Sequence, residues 1–328
     1  MRRREFITLL GNAVVAWPLV ARAQHAELMR RIGVLQPQRE SDREAQSWIS
    51  AFRQRLKTLG WIEGYNIQID LRWYAGNLAL LRSHAADLVK LTPDLIFCMS
   101  TPTVSALQQA TKTIPIVFVN ANNPVGFGFV ASLARPGGNI TGFVAFVPEM
   151  GGKWLEMLRE IAPSIKRVGL IYNPKTHTGQ YFQSIETAAR LLSVKLVRIA
   201  FGDAVTLKHG IDEFGRESSG GLVVMPDAST RVNRDLIVGL AVRHRLPAVY
   251  TYHLFITRGG LAYYGTDTTE QFRKAADYVH RILSGETPAN LPVQAPTKFE
   301  LVINQKAAKR IGLDLPPRLL VRADEVIE

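Results

Sequence analysis

A chain of 328 residues, 47% hydrophobic and 21% charged, is long enough for about two domains and has the composition of an ordinary globular protein. Its formal net charge is +12, but the lysines and arginines are scattered with no run of five, so the balance does not point to nucleic acid. The single cysteine, Cys98, excludes an internal disulfide, and its place in the apolar run Leu95-Ile96-Phe97-Cys98-Met99 reads as a buried core thiol.

Residues 1–23 read as an export segment rather than part of the fold. Arg2-Arg3-Arg4 is a positive start and Phe6 to Val20 is mostly apolar but short for a membrane span. Ala21-Arg22-Ala23 is an A-x-A cleavage site. Arg3-Arg4-Glu5-Phe6-Ile7 fits a twin-arginine pattern, with an ordinary secretory signal as the alternative route. Removing residues 1–23 takes away four arginines and Glu5 and leaves a net charge of +9. The expectation is a soluble periplasmic protein that begins near Gln24.

Arg31 to Leu35 reads as the first strand, with Gln36 at its carboxyl end. Trp48, Ile49, Phe52, Leu56 and Leu59 recur at three- and four-residue steps, so 45–59 is a helix. Ile67, Ile69, Leu71 and Trp73 alternate as in a strand; 78–91 is a second helix stopped by Pro93, and 94–99 is a third strand. Ser100-Thr101-Pro102-Thr103 follows, with Thr101 expected as N-cap and Pro102 as the first helical residue. Such a helix start, with its free N–H groups and hydroxyls, suits a carboxylate. Ile114 to Val119 is a short buried strand, and the amides Asn120, Asn122 and Asn123 follow it. The glycines and prolines beyond are expected to carry the chain out of one sheet into another.

A second series begins after about residue 165. Strands are expected at 167–172 (ending in Asn173-Pro174), 195–199, 221–225 (ending in Pro226-Asp227), 246–250 and 261–264. Helices are expected at 153–161, 184–192, 207–214, 234–244 and 269–283. Strand and helix alternate twice, so the fold class is α/β, with two doubly wound parallel-sheet domains joined by a hinge.

The stretch Ile114-Pro115-Ile116-Val117-Phe118, then Asn123-Pro124-Val125, then Ser132-Leu133-Ala134-Arg135-Pro136-Gly137-Gly138-Asn139 with Thr141-Gly142, resembles the ABC-transporter solute-binding family that includes tryptophan/tyrosine-type binding proteins. The resemblance resumes at Gly259 to Gly265. It closes with Leu291-Pro292-Val293, Phe299 to Asn304 and Arg322 to Glu328, covering nearly all of the chain after residue 30. It implies the type I periplasmic binding-protein architecture, with a small-molecule ligand between two lobes. The first lobe is expected at 24–120 plus about 266–295, the second at 121–265 plus about 296–328, with the helix at 269–283 returning to the first. It also implies an ABC permease and ATPase as partners and a ligand that is an amino acid or an aromatic or branched acid. One departure is Asn123, where the family usually has an aspartate, a carboxylate that could face the ligand's amine. A monomer is expected.

The residues expected in the cleft are Gln36, Ser100, Thr101, Thr103, Asn120 and Asn122 from the first lobe. Tyr172, Asn173 and Asp227 come from the second, with Tyr250 or Thr251 as further choices and Tyr264 near a crossover. Hydroxyls and helix N–H groups would take a carboxylate, Asp227 an amine, and the aromatics a planar side chain. Nothing in the sequence supports catalysis, a cofactor or a metal. There is no phosphate loop and no G-x-S-x-G elbow, and the seven histidines show no H-x-x-x-H spacing. A ligand-sensing partner of a membrane receptor and a periplasmic enzyme are the competing readings. A DNA-binding repressor of the same architecture would need a helix-turn-helix where the export segment stands.

Overall fold

The computed structural model describes residues 29–175 and 179–328, so the expected export segment lies outside the described residues. The first sheet contains β1 (Arg30–Gln36), β2 (Ile67–Trp73), β3 (Leu95–Met99), β4 (Ile116–Ala121) and β5 (Ile140–Val144). All are parallel, in the order β2-β1-β3-β4-β5. Its connecting helices are α1 (Arg43–Thr58), α2 (Leu78–Lys90) and α3 (Thr101–Ala110). The strands β3, β4 and β5 are buried along their whole length, as parallel strands covered on both faces must be. Asp42 caps α1 and Asn77 caps α2 through side-chain oxygens that accept first-turn N–H groups.

The second lobe repeats the plan. It contains α4 (Met150–Ile161), β6 (Arg167–Tyr172), α5 (Phe182–Leu192), β7 (Lys195–Ala200), α6 (Ala204–Phe214) and β8 (Gly220–Val224). It continues with α7 (Ala228–Val232), α8 (Arg234–Arg243), β9 (Ala248–Tyr250) and β10 (Ala262–Gly265). Helix α9 (Thr268–Leu283) follows, then β11 (Glu300–Asn304), α10 (Gln305–Ile311), α11 (Pro317–Arg322) and β12 (Glu325–Ile327). The second sheet runs β12-β11-β10-β9-β8-β6-β7, with only the β10–β11 pair antiparallel. Both sheets therefore reverse strand order once, between β1 and β3 and between β6 and β8. At those switch points a crevice opens beyond the carboxyl ends of the strands.

Helix α9 lies against the first sheet, although it follows β10 of the second. Phe272 packs edge-on against Phe97 (5.1 Å) and beside Trp48 (5.8 Å), and Arg55 of α1 pairs with Asp277 at 2.8 Å. Cys98 is fully buried on the opposite face, where burial pushes its thiol pKa up and leaves it inert.

The expected exit from the first lobe at residue 121 is corrected. The chain returns at β5, which pairs in parallel with β4 from Ile116↔Ile140 onward. Gly142 makes this possible: at φ +152° its backbone lies so close to β4 that a Cβ would sit 2.0 Å from the Phe118 carbonyl oxygen. The chain then crosses between β5 and α4, again between β10 and α9, and a third time between Gln294 and β11. Gln294 is still tied to β5, donating its N–H to Gly142 O at 2.9 Å and accepting from Val144 N at 3.0 Å. Helices tie the first two crossings together, for Gln271 Nε2 of α9 donates to Val144 O of β5 at 3.0 Å and Trp154 Nε1 of α4 to Tyr264 O of β10 at 2.9 Å.

Candidate functional site

The carboxyl ends of the two sheets face each other and enclose a cavity of about 190 Å³. This is below the roughly 300–1,000 Å³ of sites for drug-sized molecules. The first lobe lines it with Ser100, Thr101, Ser105, Asn120, Asn122 and Phe127; the second with Lys175, Asp227, Arg231 and Tyr252.

Two backbone irregularities build the first rim. Ser100, between β3 and α3, has φ 86° and ψ 150°, close to a region that only glycine populates freely. It precedes the first residue of α3 and makes no side-chain cap bond, so the expected cap at Thr101 is displaced by one residue. Its hydroxyl instead joins Thr103 Oγ1 (2.9 Å) and Tyr74 OH (3.3 Å), and Tyr74 reaches Thr103 at 2.9 Å. Desolvation raises the Tyr74 pKa, which keeps its phenol protonated within this cluster. At the end of β4 the register slips between Val119 and Ala121, and Asn120 stands in the bulge at φ 53°. Its side chain lines the cavity, is 2% exposed, and both amide atoms lack a hydrogen-bond partner. A buried primary amide left unsatisfied costs about 1–3 kcal/mol, so the bulge holds an unmet donor and acceptor at the cavity wall.

The second rim carries charge. Asp227, past the end of β8, caps α7: Oδ1 accepts from Ser229 N at 2.7 Å and from the Ser229 hydroxyl. One turn on, Arg231 is 7% exposed with its guanidinium 3.8 Å from the Tyr252 ring centroid. Its Nη1 reaches Met99 Sδ of the first lobe at 3.9 Å and its Nε has no partner.

Several contacts join the rims. Asn122 donates Nδ2 to Pro226 O at 3.5 Å and accepts from Tyr181 OH at 3.1 Å. Arg234 faces Asp42 at 3.9 Å, and His253 faces Glu44 at 3.7 Å.

Of the ten residues expected in the cleft, Ser100, Thr101, Asn120, Asn122 and Asp227 line the cavity. The other five stand behind it or away from it. Thr103 is the inner member of the hydroxyl cluster. Gln36 is fully buried at the end of β1 with both amide atoms unpaired. Asn173 closes a turn by accepting from Lys175 N at 2.9 Å. Tyr172 packs edge-on against Phe182 (5.1 Å), and Tyr264 on β10 lies 6.1 Å from Phe299, outside the cavity lining. The alternatives Tyr250 and Thr251 are core residues, one stacked on Phe255 and the other bonded to Val224 O. Asn123 is also a turn residue: its Oδ1 accepts from Gly126 N at 3.0 Å, and it does not line the cavity.

Sequence reasoning missed Ser105, Phe127, Lys175, Arg231 and Tyr252. A signal existed for two of them. Arg231 falls four residues after Asp227, one helical turn from a strand end, and Tyr252 lies two residues past the end of β9.

Two α/β lobes, each with its switch point opening on a shared cavity, define the type I periplasmic binding-protein fold. The chain belongs to the ABC transporter substrate binding protein family, whose model matches residues 32–327. It is 26% identical over 263 residues to a tyrosine-binding protein of Clostridioides difficile (strain R20291), covering 80% of this chain and 75% of that one. Among solved structures it is similar to a conserved domain protein of Vibrio cholerae (TM-score 0.82, 28% identity, 90% of this chain and 99% of that one). It is also similar in fold to an ABC domain from Streptococcus pneumonia in complex with L-Trp (TM-score 0.83, 22% identity, 91% and 99%). No helix among the described residues is long and apolar enough to cross a membrane.

Proposed function

We propose that this protein is exported to the periplasm, captures a small carboxylate-bearing solute between its lobes, and delivers it to the permease and ATPase of an ABC importer. The solute is an amino acid or an aromatic or branched acid. The lobes are residues 29–144 with 268–294, and 150–265 with 300–327, and the three crossings between them act as the hinge. Both rims come from one chain, so a monomer suffices.

The observation that carries this reading is Asn120. A buried amide with no partner, set on a bulge at the wall of a small inter-lobe cavity, is an interaction waiting for a ligand. Phe127 on the first rim supplies a flat apolar surface for a ring. The hydroxyls of Ser100 and Thr101 with the start of α3 supply donors for a carboxylate. Micromolar capture requires only about −8 kcal/mol, which a few charge-assisted hydrogen bonds and one stacked ring provide.

Thermal shifts of residues 24–328, refolded to remove carried-over ligand, test the proposal. The panel holds aromatic and branched amino acids, their deaminated acids, benzoates and sugars. A ligand at a hundred times its Kd adds about 2.7 kcal/mol, a shift of a few degrees for a protein of this size. A shift with the acids supports capture; a well-folded protein that no acid stabilises contradicts it.

A further inference from the structure

The second rim holds a charge that the protein itself leaves unanswered. Arg231 is 7% exposed and lines the cavity, and among the described residues no carboxylate forms an ion pair with it. Its side-chain contacts are soft: the face of Tyr252 and the sulfur of Met99. Its Nε is buried without a partner. Asp227, in the same wall, does not reach it within ion-pair distance and spends Oδ1 on capping α7. The facing rim, at Ser100, Thr101, Asn120 and Asn122, offers only neutral groups, and Lys175 adds a second positive side chain to the lining. An arginine stripped of water without a counter-ion is strongly unfavourable, and an anion delivered into the cavity removes that penalty.

We infer that Arg231 is the counter-ion for an anionic group of the captured solute, and that it sets a preference for acids over neutral or purely amine compounds of the same shape. The inference rests on the capture reading and names its electrostatic determinant. Its contact with the Tyr252 ring holds the guanidinium in place before the solute arrives, so little side-chain entropy is lost on pairing. Arg231 also touches Met99 across the cleft, so an anion seated there interacts with the second lobe while the first-lobe donors take its remaining oxygen.

Three probes share the 4-hydroxyphenyl ring and differ in their charged groups: 3-(4-hydroxyphenyl)propionate carries a carboxylate, L-tyrosine a carboxylate and an amine, and tyramine an amine alone. The two acids are expected to raise the Tm of the wild-type protein and tyramine is not. In R231Q, checked for folding by circular dichroism, the Kd of the acids is expected to rise at least tenfold. Equal stabilisation by tyramine, or unchanged acid binding in R231Q, overturns the inference while leaving solute capture intact.

A second variant does not depend on the choice of probe. Arg231→Met removes the uncompensated charge and keeps a flexible apolar stem, so the ligand-free Tm is expected to rise by a few degrees. If none of the three probes shifts the wild type and the Met variant is more stable, the charge assignment stands and capture of phenolic solutes falls. If the Met variant is less stable, Arg231 is a structural residue and the inference is wrong.

Discussion

The first rim of the cleft works with neutral groups held by unusual backbone: Ser100 at φ 86° and Asn120 in a bulge at φ 53°. The second rim works with charge on ordinary backbone: Asp227, the extended N-cap of α7, and Arg231 one turn later in the helix. The two sheets share the same strand order around their switch points, so the difference lies in the residues placed there and not in the topology. It teaches that equivalent crevices can be specialised separately, one lobe supplying shape and hydrogen bonds, the other supplying charge selectivity. It also separates two costs. The first rim stores strain of about 1–3 kcal/mol per unusual residue; the second stores a buried charge.

The sharpest way to break this comparison is Asn120→Gly. Glycine adopts φ 53° without penalty, so the bulge survives while the amide is lost. Ligand affinity measured by titration calorimetry is expected to fall at least tenfold, about 1.4 kcal/mol or more, with Tm unchanged or raised. Retained affinity would mean that the first rim contributes shape alone.

Gln36 is the next test. It is fully buried with both amide atoms unpaired, yet it does not line the cavity. Replacing it with leucine is expected to stabilise the protein by about 1–2 kcal/mol in urea unfolding, with little change in affinity. A loss of binding would place Gln36 in the ligand site after all, as the sequence first suggested.

Asp227→Asn separates the charge of Asp227 from its capping role, since asparagine caps as well as aspartate. Stability is expected to change by a few tenths of a kcal/mol. The Kd for L-tyrosine should rise several-fold and that for 3-(4-hydroxyphenyl)propionate should not. An equal loss for both ligands would remove the amine-binding role.

The smallest expected effect concerns the edge of the cleft. His253 has its pKa raised, chiefly by its bond with Glu44, with further charge from Glu325 and Glu300 and with burial opposing. A raised histidine pKa contributes stability that is complete below about pH 6.5 and fades as pH climbs through the folded-state value. Glu44 belongs to the first lobe and His253 to the second, so that contribution belongs to the contact between the lobes. The pair is partly exposed, so the effect is well under 1 kcal/mol. Unfolding midpoints of Glu44→Gln are expected to fall less steeply with pH above 6.5 than those of the wild type. Parallel pH profiles would show that the contact does not hold the lobes together.

Much of the fold was legible because its signals are local. Continuous apolar runs such as Leu95–Met99 and Ile116–Val119 announced buried parallel strands, and the spacing of Trp48, Ile49, Phe52 and Leu56 announced α1. The sheet to which β5 belongs was not legible. Ile140–Val144 reads as a buried strand in either lobe, and the choice is made by the close approach of Gly142 to Phe118, a contact between segments distant in sequence. Five-residue α7 is too short to show a helical period. In the site, strand-end positions located Ser100, Asn120 and Asp227, because that rule follows from topology alone. The burial of Arg231 was hidden, since it depends on Met99 and Tyr252 closing around a residue that looks like ordinary helix surface. The strain at Ser100 was hidden too, because serine gives no hint of a left-handed backbone.

The most direct measurement is a crystal structure of residues 24–328 with the acid that gives the largest thermal shift. The account predicts that acid in the inter-lobe cavity, with a carboxylate oxygen within hydrogen-bond distance of Arg231 and the Asn120 amide engaged. An acid bound outside this cavity, or bound within it with Arg231 and Asn120 still unpaired, would contradict the account.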